Sequence, residues 1–182
     1  MAGAVPDTSP SVQDEFEALY AAHRDDIWRY LRRRAASEPE DLTTEVFLVA
    51  WRRRSELPAQ PLPWLYGVAR KVLANHRRGG ARRQALAERA GAHAAPFAPD
   101  HADAIGLRQD LTRALAALSE SDRELVLLVA WEGLSMAEAG EALGCLPGTV
   151  AVRMHRARKR LHHALEADDA PALASMTTAE ER

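Results

Sequence analysis

Cysteine is almost missing from this chain of 182 residues: Cys145 stands alone. A single thiol excludes a disulfide framework within one chain and any cysteine-rich zinc site. Lysine is nearly as scarce. Lys71 and Lys159 are the only two, so arginine carries almost all of the positive charge. Aromatic residues make up 5% of the chain, and no stretch alternates apolar and polar residues with period two, so no sheet is expected. Nowhere do about 18 apolar residues run together, as a membrane span requires. The start, MAGAVPDTSP, lacks a basic segment followed by an apolar core, so no secretory signal is expected. The expectation is a soluble, cytoplasmic protein without membrane insertion. A Walker loop, a glycine-rich dinucleotide fingerprint and a His-Glu-x-x-His motif are all missing, which argues against an enzyme. His93, His101, His162 and His163 are scattered or adjacent and lack acidic or thiol partners at ligand spacing, so no metal, cofactor or catalytic residue is expected.

What is present is apolar and charged in ordinary globular proportion, 47% and 27%, and rich in alanine, which favours helix. The net charge of -2 hides a strong segregation. Residues 1–26 sum to -5, 27–56 to +2 and 57–90 to +6; residues 91–132 sum to -4, 133–165 to +3 and 166–182 to -4. Two basic islands between acidic stretches suggest two contact surfaces for one polyanion. Solvated arginine-rich helix faces would give the same count.

The first helix is predicted over residues 14–34, with Phe16, Leu19, Ile27, Tyr30 and Leu31 on one face. Ser37-Glu38-Pro39-Glu40 reads as a capping box, opening a second helix whose buried side holds Leu42, Val46, Val49 and Ala50. Pro58, Pro61 and Pro63 break the chain. A third helix, PWLYGVARKVLANHRR, follows and is expected to end before Gly79-Gly80. Residues 80–103 then loosen into alanine, proline, glycine and histidine, and are expected to form a linker, with helix at its front end. Beyond it, Ile105, Leu107, Leu111, Leu115 and Leu118 fit a helix, and Ser121-Asp122-Arg123-Glu124 reads as a second capping box, for a helix that Gly133 ends. Ser135-Met136-Ala137-Glu138 is a third box, for a short helix stopped by Gly144. Pro147 then begins a long basic helix through about Leu165.

The most informative run is GLSMAEAGEALGCLPGTVAVRMHRARKRL, residues 133–161. A short helix, a glycine turn and a second helix make a helix-turn-helix. Ala137, Ala139 and Ala142 allow close packing, and Gly144 suits the special backbone angle of the turn. Val150, Met154, Ala157 and Leu161 form the inward stripe of the second helix. Its other face carries Arg153, Arg156, Arg158, Lys159 and Arg160, with Thr149 and His155 nearer its start. Arginine can read guanine edges or hold phosphates, which a neutral surface cannot. Cys145, in the turn, reads as a small packed residue, with a thiol sensor as the alternative.

These features resemble a family, the group IV or extracytoplasmic-function (ECF) sigma factors of bacterial RNA polymerase. The resemblance rests on Gly144, Gly148-Thr149-Val150 and Arg153-Met154-His155-Arg156-Ala157-Arg158, and on two N-terminal runs. PEDLTTEVFLVAW resembles the helix that docks on the polymerase clamp, and PWLYGVARKVLANHRR resembles the promoter-melting helix. It implies an all-α fold of two small helical domains joined by a flexible linker. Residues 1–13 would be a disordered N-terminus, 14–84 sigma region 2, 85–103 the linker, 104–165 sigma region 4, and 166–182 a disordered tail.

The resemblance also implies roles. Asp41, Leu42, Glu45, Phe47 and Leu48 would meet the clamp helices of the largest polymerase subunit, with plain core as the alternative for Leu42 and Phe47. Trp64, Lys71, Asn75, Arg77 and Arg78 would face the opened strand of the minus-ten element, Trp64 again having a core alternative. Cationic groups beside flat side chains suit a melted strand, and the loop from Arg54 to Pro63 would hold an extruded base. Thr149, Arg153, His155, Arg156, Arg158 and Lys159 would bind the minus-thirty-five duplex. The implied partners are core RNA polymerase, through the clamp and the flap of the second-largest subunit, and promoter DNA; an anti-sigma factor is left open.

This sequence departs from the family's pattern in places. Thr44 stands where a glutamine is usual, and Lys71 where asparagine is common. The loop before Trp64 lacks the typical aromatic and glycine, and Ala151 and Val152 replace residues that are often basic or serine. Two other functions stay in view: an autonomous helix-turn-helix regulator, and a polymerase-binding adaptor that touches no DNA. The clamp-docking run argues against the first, and the basic residues of 153–160 against the second.

Overall fold

Proline placement explains where three of the helices begin. Lacking an amide hydrogen, proline is tolerated at a helix's first position, where that donor has no partner. In a computed structural model, which describes residues 11–34, 38–89 and 105–177, helices start at Pro39, Pro61 and Pro147. The order is α1 (Val12–Arg34), α2 (Pro39–Arg52), a 3-10 turn (Arg54–Glu56), α3 (Pro61–Arg89), α4 (Ile105–Ala116), α5 (Glu120–Ala130), α6 (Met136–Leu143) and α7 (Pro147–Thr177). No strand occurs among the described residues. The chain divides into two units, Met1–Ala95 and Pro96–Arg182.

In the first unit α1, α2 and α3 pack against one another in all three pairs. Ile27, Tyr30 and Leu31 of α1 meet Leu42, Val46, Phe47 and Ala50 of α2 and Leu65, Val68, Ala69 and Val72 of α3, all buried. The rings of Tyr30 and Tyr66 lie 5.2 Å apart. Buried apolar side chains of this size each contribute about 1.5–3 kcal/mol. Thr43 is the buried polar residue, and its hydroxyl donates to the Pro39 carbonyl at 2.7 Å.

The second unit is built around α7, against which α4, α5 and α6 all pack. Val150, Met154 and Ala157 form the inward stripe, and Leu161 is half-buried at its end. Facing them are Ala114 of α4, Leu125 and Leu128 of α5, and Ala139 and Ala142 of α6. Gly140 is the tightest point of the helix-turn-helix. A Cβ there would lie 3.0 Å from Val150 Cγ2 and 3.1 Å from the Cys145 carbonyl oxygen. The backbone oxygen cannot swing aside, so Gly140→Val should destabilise this unit by about 1–3 kcal/mol, as overpacking does. Urea unfolding measures it, and unchanged stability would refute the close approach.

Several boundaries differ from the sequence expectations. α2 is capped by Glu38, in the left-handed region at φ 62° and without a side-chain cap bond; Ser37 lies outside the described residues. Ser119, not Ser121, caps α5, its hydroxyl accepting from the Asp122 amide at 3.2 Å. The Ser135 capping box forms as expected, and Gly144 ends α6 at φ 65°. Gly133, also at positive φ (72°), lies in the turn after α5, which stops at Ala130. Leu111, expected on the apolar face of α4, is 41% exposed, while Ala114 and, just past the helix, Leu118 are buried. α3 does not stop before Gly79-Gly80 but runs to Arg89, into the expected linker. α7 continues to Thr177, through most of the tail expected to be disordered, and α1 begins at Val12, inside the expected N-terminal tail.

Candidate nucleic-acid interface

The N-terminal unit carries two exposed stripes. On α2, Asp41, Glu45 and Leu48 recur at helical spacing, with Thr44 beside them, and all four are exposed. Leu48 is 48% exposed, an apolar side chain set among carboxylates. Leu42 and Phe47 point the other way. Both are 3% exposed, and the Phe47 ring packs 4.7 Å from Tyr20 and 6.5 Å from Phe16. They are core residues, and the direct contact expected of them is corrected.

On α3, Trp64, Lys71, Asn75, Arg78 and Arg82 fall on one face at spacings near multiples of 3.6. Lys71, Asn75, Arg78 and Arg82 are exposed and Trp64 is half-buried. The Arg53 guanidinium sits over the Trp64 ring, 5.5 Å from its centroid. It is also hydrogen-bonded to Glu56 through Nε at 3.1 Å. The indole is therefore neither plain core nor an open platform, since one cation already covers part of it. Arg78 donates to the Asn75 side-chain oxygen one turn earlier, which fixes both on that face. Arg77 points elsewhere: its Nη2 donates at 2.8 Å to the carbonyl of Arg34, the last residue of α1. A cation on an orphan terminal carbonyl satisfies that group and suits the helix dipole. Arg77 holds α1 to α3, so it is removed from the strand-facing set.

In the second unit Thr149, Val152, Arg156 and Lys159 recur at three- and four-residue spacing along α7 and are all exposed. His155 and Arg158, also exposed, stand one helical step, about 100°, around from Arg156 and Lys159. Arg153 departs from expectation. Its Nε donates to Asp122 Oδ1 at 2.9 Å and its Nη1 to the Cys145 sulfur at 3.3 Å, while Nη2 is buried. The Arg153 and Asp122 side chains are only 20% and 14% exposed. Arg160, mostly exposed, approaches the other Asp122 oxygen at 3.5 Å. Arg153 holds the carboxyl of Asp122 below the usual aspartate range, against the opposing effect of burial, and the Ser119 hydroxyl and the charge of Arg160 add to it. Arg153 is an internal tie rather than an exposed reader of bases.

Sequence reasoning missed Arg53, Arg82 and Asp122. Arg82 was findable from its spacing after Lys71, Asn75 and Arg78. No sequence signal pairs Asp122 with a residue 31 positions away. Among the described residues no group of His, Cys, Asp or Glu could hold a metal ion, and no helix is long and apolar enough to cross a membrane.

Each of the two units matches a known family model. The family model for Sigma-70 region 2 matches residues 19–83, and that for Sigma-70, region 4 matches residues 108–161. RNA polymerase sigma factor CarQ of Myxococcus xanthus is 35% identical over 158 residues, covering 84% of this chain and 90% of that protein. ECF RNA polymerase sigma factor SigC of Mycobacterium tuberculosis is 32% identical over 156 residues, covering 84% of each chain. Among solved structures, the sigma factor RpoE of Bartonella quintana, in complex with the anti-sigma factor NepR, matches with a TM-score of 0.60. Its identity is 23%, over 85% of this chain and 98% of that one. CnrH, in complex with the cytosolic domain of CnrY, matches with a TM-score of 0.57 at 24% identity, over 86% and 90%. These two structures show the fold. The matches do not favour the autonomous regulator or the adaptor. With region 2 followed by region 4, and relatives above 30% identity across most of both chains, this chain belongs to the ECF sigma factors, regulatory proteins that direct promoter-specific initiation by RNA polymerase.

Proposed function

We propose that the two units divide the work of initiation. The α2 stripe of Asp41, Glu45 and Leu48 docks on the clamp helices of the largest polymerase subunit, Leu48 filling an apolar contact inside an acidic frame. The α3 face of Lys71, Asn75, Arg78 and Arg82 follows the opened strand of the minus-ten element, with Trp64 and Arg53 at its upstream end. Thr149, Arg156 and Lys159 of α7 enter the minus-thirty-five duplex, flanked by His155 and Arg158, while the unit also contacts the flap of the second-largest subunit. The protein works in the cytoplasm, and an anti-sigma factor would silence it by covering these same faces. RpoE and CnrH, which share its fold, were each solved with such a partner or a cytosolic partner domain. No covalent chemistry is involved, since binding energy offsets the cost of unstacking.

The observation that carries this reading is the pairing of an exposed acidic-apolar stripe on α2 with exposed basic faces on α3 and α7. Run-off transcription with purified core polymerase tests it. The chain should confer promoter-dependent initiation, and free protein should bind the same duplex weakly and in a salt-sensitive way, because its acidic stretches repel DNA. Tight sequence-specific binding by the free chain, with no effect on polymerase, would point to the autonomous regulator instead.

A further inference from the structure

The recognition helix is held to its neighbour by one carboxylate. Asp122 lies in the first turn of α5, where its own amide is capped by Ser119, so the helix start fixes the position of its side chain. From there Oδ1 accepts from Arg153 and Oδ2 faces Arg160, one two-turn step further along α7. The same guanidinium reaches back to the sulfur of Cys145 in the turn between α6 and α7. One arginine thus ties together three elements: the first turn of α5, the turn of the helix-turn-helix, and α7. Van der Waals packing of Val150, Met154 and Ala157 sets how deep α7 sits. Apolar packing is non-directional, whereas a charge-assisted hydrogen bond to a carboxylate has a preferred direction.

We infer that Asp122 and Arg153 are positioning residues that set the rotation of α7 against α5, and so decide which α7 side chains reach base edges. This rests on the reading of α7 as the duplex-reading helix. Arg153 then affects promoter preference without touching DNA, and Asp122, an acid in a DNA-binding unit, strengthens binding rather than opposing it. Arg160, more exposed and more distant, is a second and exchangeable arm.

The test uses holoenzyme assembled from the full chain and its core polymerase, with a random-sequence duplex pool as probe. Wild-type holoenzyme selects a preferred minus-thirty-five sequence, and variants are then assayed on it well below their unfolding temperatures. Asp122→Asn and Arg153→Gln should each weaken binding at least about tenfold, and the double variant should lose no more than the worse single change. Both should broaden the selected sequence profile. The slope of log affinity against log salt should stay at the wild-type value, because no phosphate contact is lost. Arg153→Lys, which keeps the charge but not the fork, should fall between, and it remains informative if Arg153→Gln does not fold. A salt slope reduced by about one in the Arg153 variants, with Asp122→Asn binding as well as or better than wild type, would make Arg153 a direct phosphate ligand and overturn the inference. An unchanged sequence profile, with losses that follow only the unfolded fraction, would reduce the pair to a stability role and overturn it as well. Failure of wild-type holoenzyme to select any duplex would instead sink the reading of α7, and the inference with it.

Discussion

Asp41→Arg combined with Glu45→Arg should abolish co-purification with core RNA polymerase while leaving the helical circular dichroism intact. Both side chains are exposed on α2, on the face away from Leu42, Val46 and Phe47, so the core of the first unit is untouched. The main folding cost is at position 41, which lies in the first turn of α2. There an acid suits the helix dipole, and reversing its sign costs about 0.3–1 kcal/mol at each such site. That is small beside an interface where two like-charge contacts replace two attractive ones, each costing several kcal/mol. Leu48→Ala should weaken the same complex less, because it removes an apolar contact without adding repulsion. Pull-down with the purified polymerase measures both, and retention of the double-reversed protein would remove the docking role of α2.

The second large effect separates the two basic faces. Arg156→Ala with Lys159→Ala should cut initiation from duplex promoters by at least about 30-fold, since each of the two lost groove contacts costs about 1–3 kcal/mol. Lys71→Ala with Arg78→Ala should cut it by acting on strand opening, where cations and stacking hold the unpaired strand. A promoter pre-melted across the minus-ten element tells them apart. It should partly restore the Lys71 and Arg78 variant, because the protein no longer has to capture a strand as it opens. It should not restore the Arg156 and Lys159 variant, whose defect precedes opening. Equal rescue of both pairs would contradict two separate sites.

The choice of arginines in that experiment shows what sequence could and could not supply. The helices were legible because their apolar residues recur at helical spacing, as at Ile27, Tyr30 and Leu31 or Val150, Met154 and Ala157. The helix-turn-helix was legible because Ser135, Glu138 and Gly144 act through neighbours within a few residues. Arg153 and Arg77 were misread for the opposite reason. As letters they match Arg156 and Arg78, and only tertiary partners 31 and 43 residues away engage them within the protein. Caps fell between these cases: Ser119 and Ser121 offer the same hydroxyl two residues apart, and where the chain enters the helix decides which is used. Leu42 and Phe47 follow the same rule, since a helix with an apolar stripe in the core and an acidic stripe outside leaves flanking residues to be settled by packing.

The passage of α3 through Gly79-Gly80 gives that helix two stabilities rather than one. Among its described side chains the last buried ones are Val72 and Leu73, and nothing lies near the position a Gly80 side chain would occupy. Each glycine destabilises the helix locally by about 1 kcal/mol relative to alanine, and a helix of a few turns is marginal in water on its own. The turns up to Arg77 therefore open only with the whole unit, and those beyond Gly80 can uncoil and reform by themselves on a far shorter timescale. Region 2 thus ends, in thermodynamic terms, about three turns before the helix does.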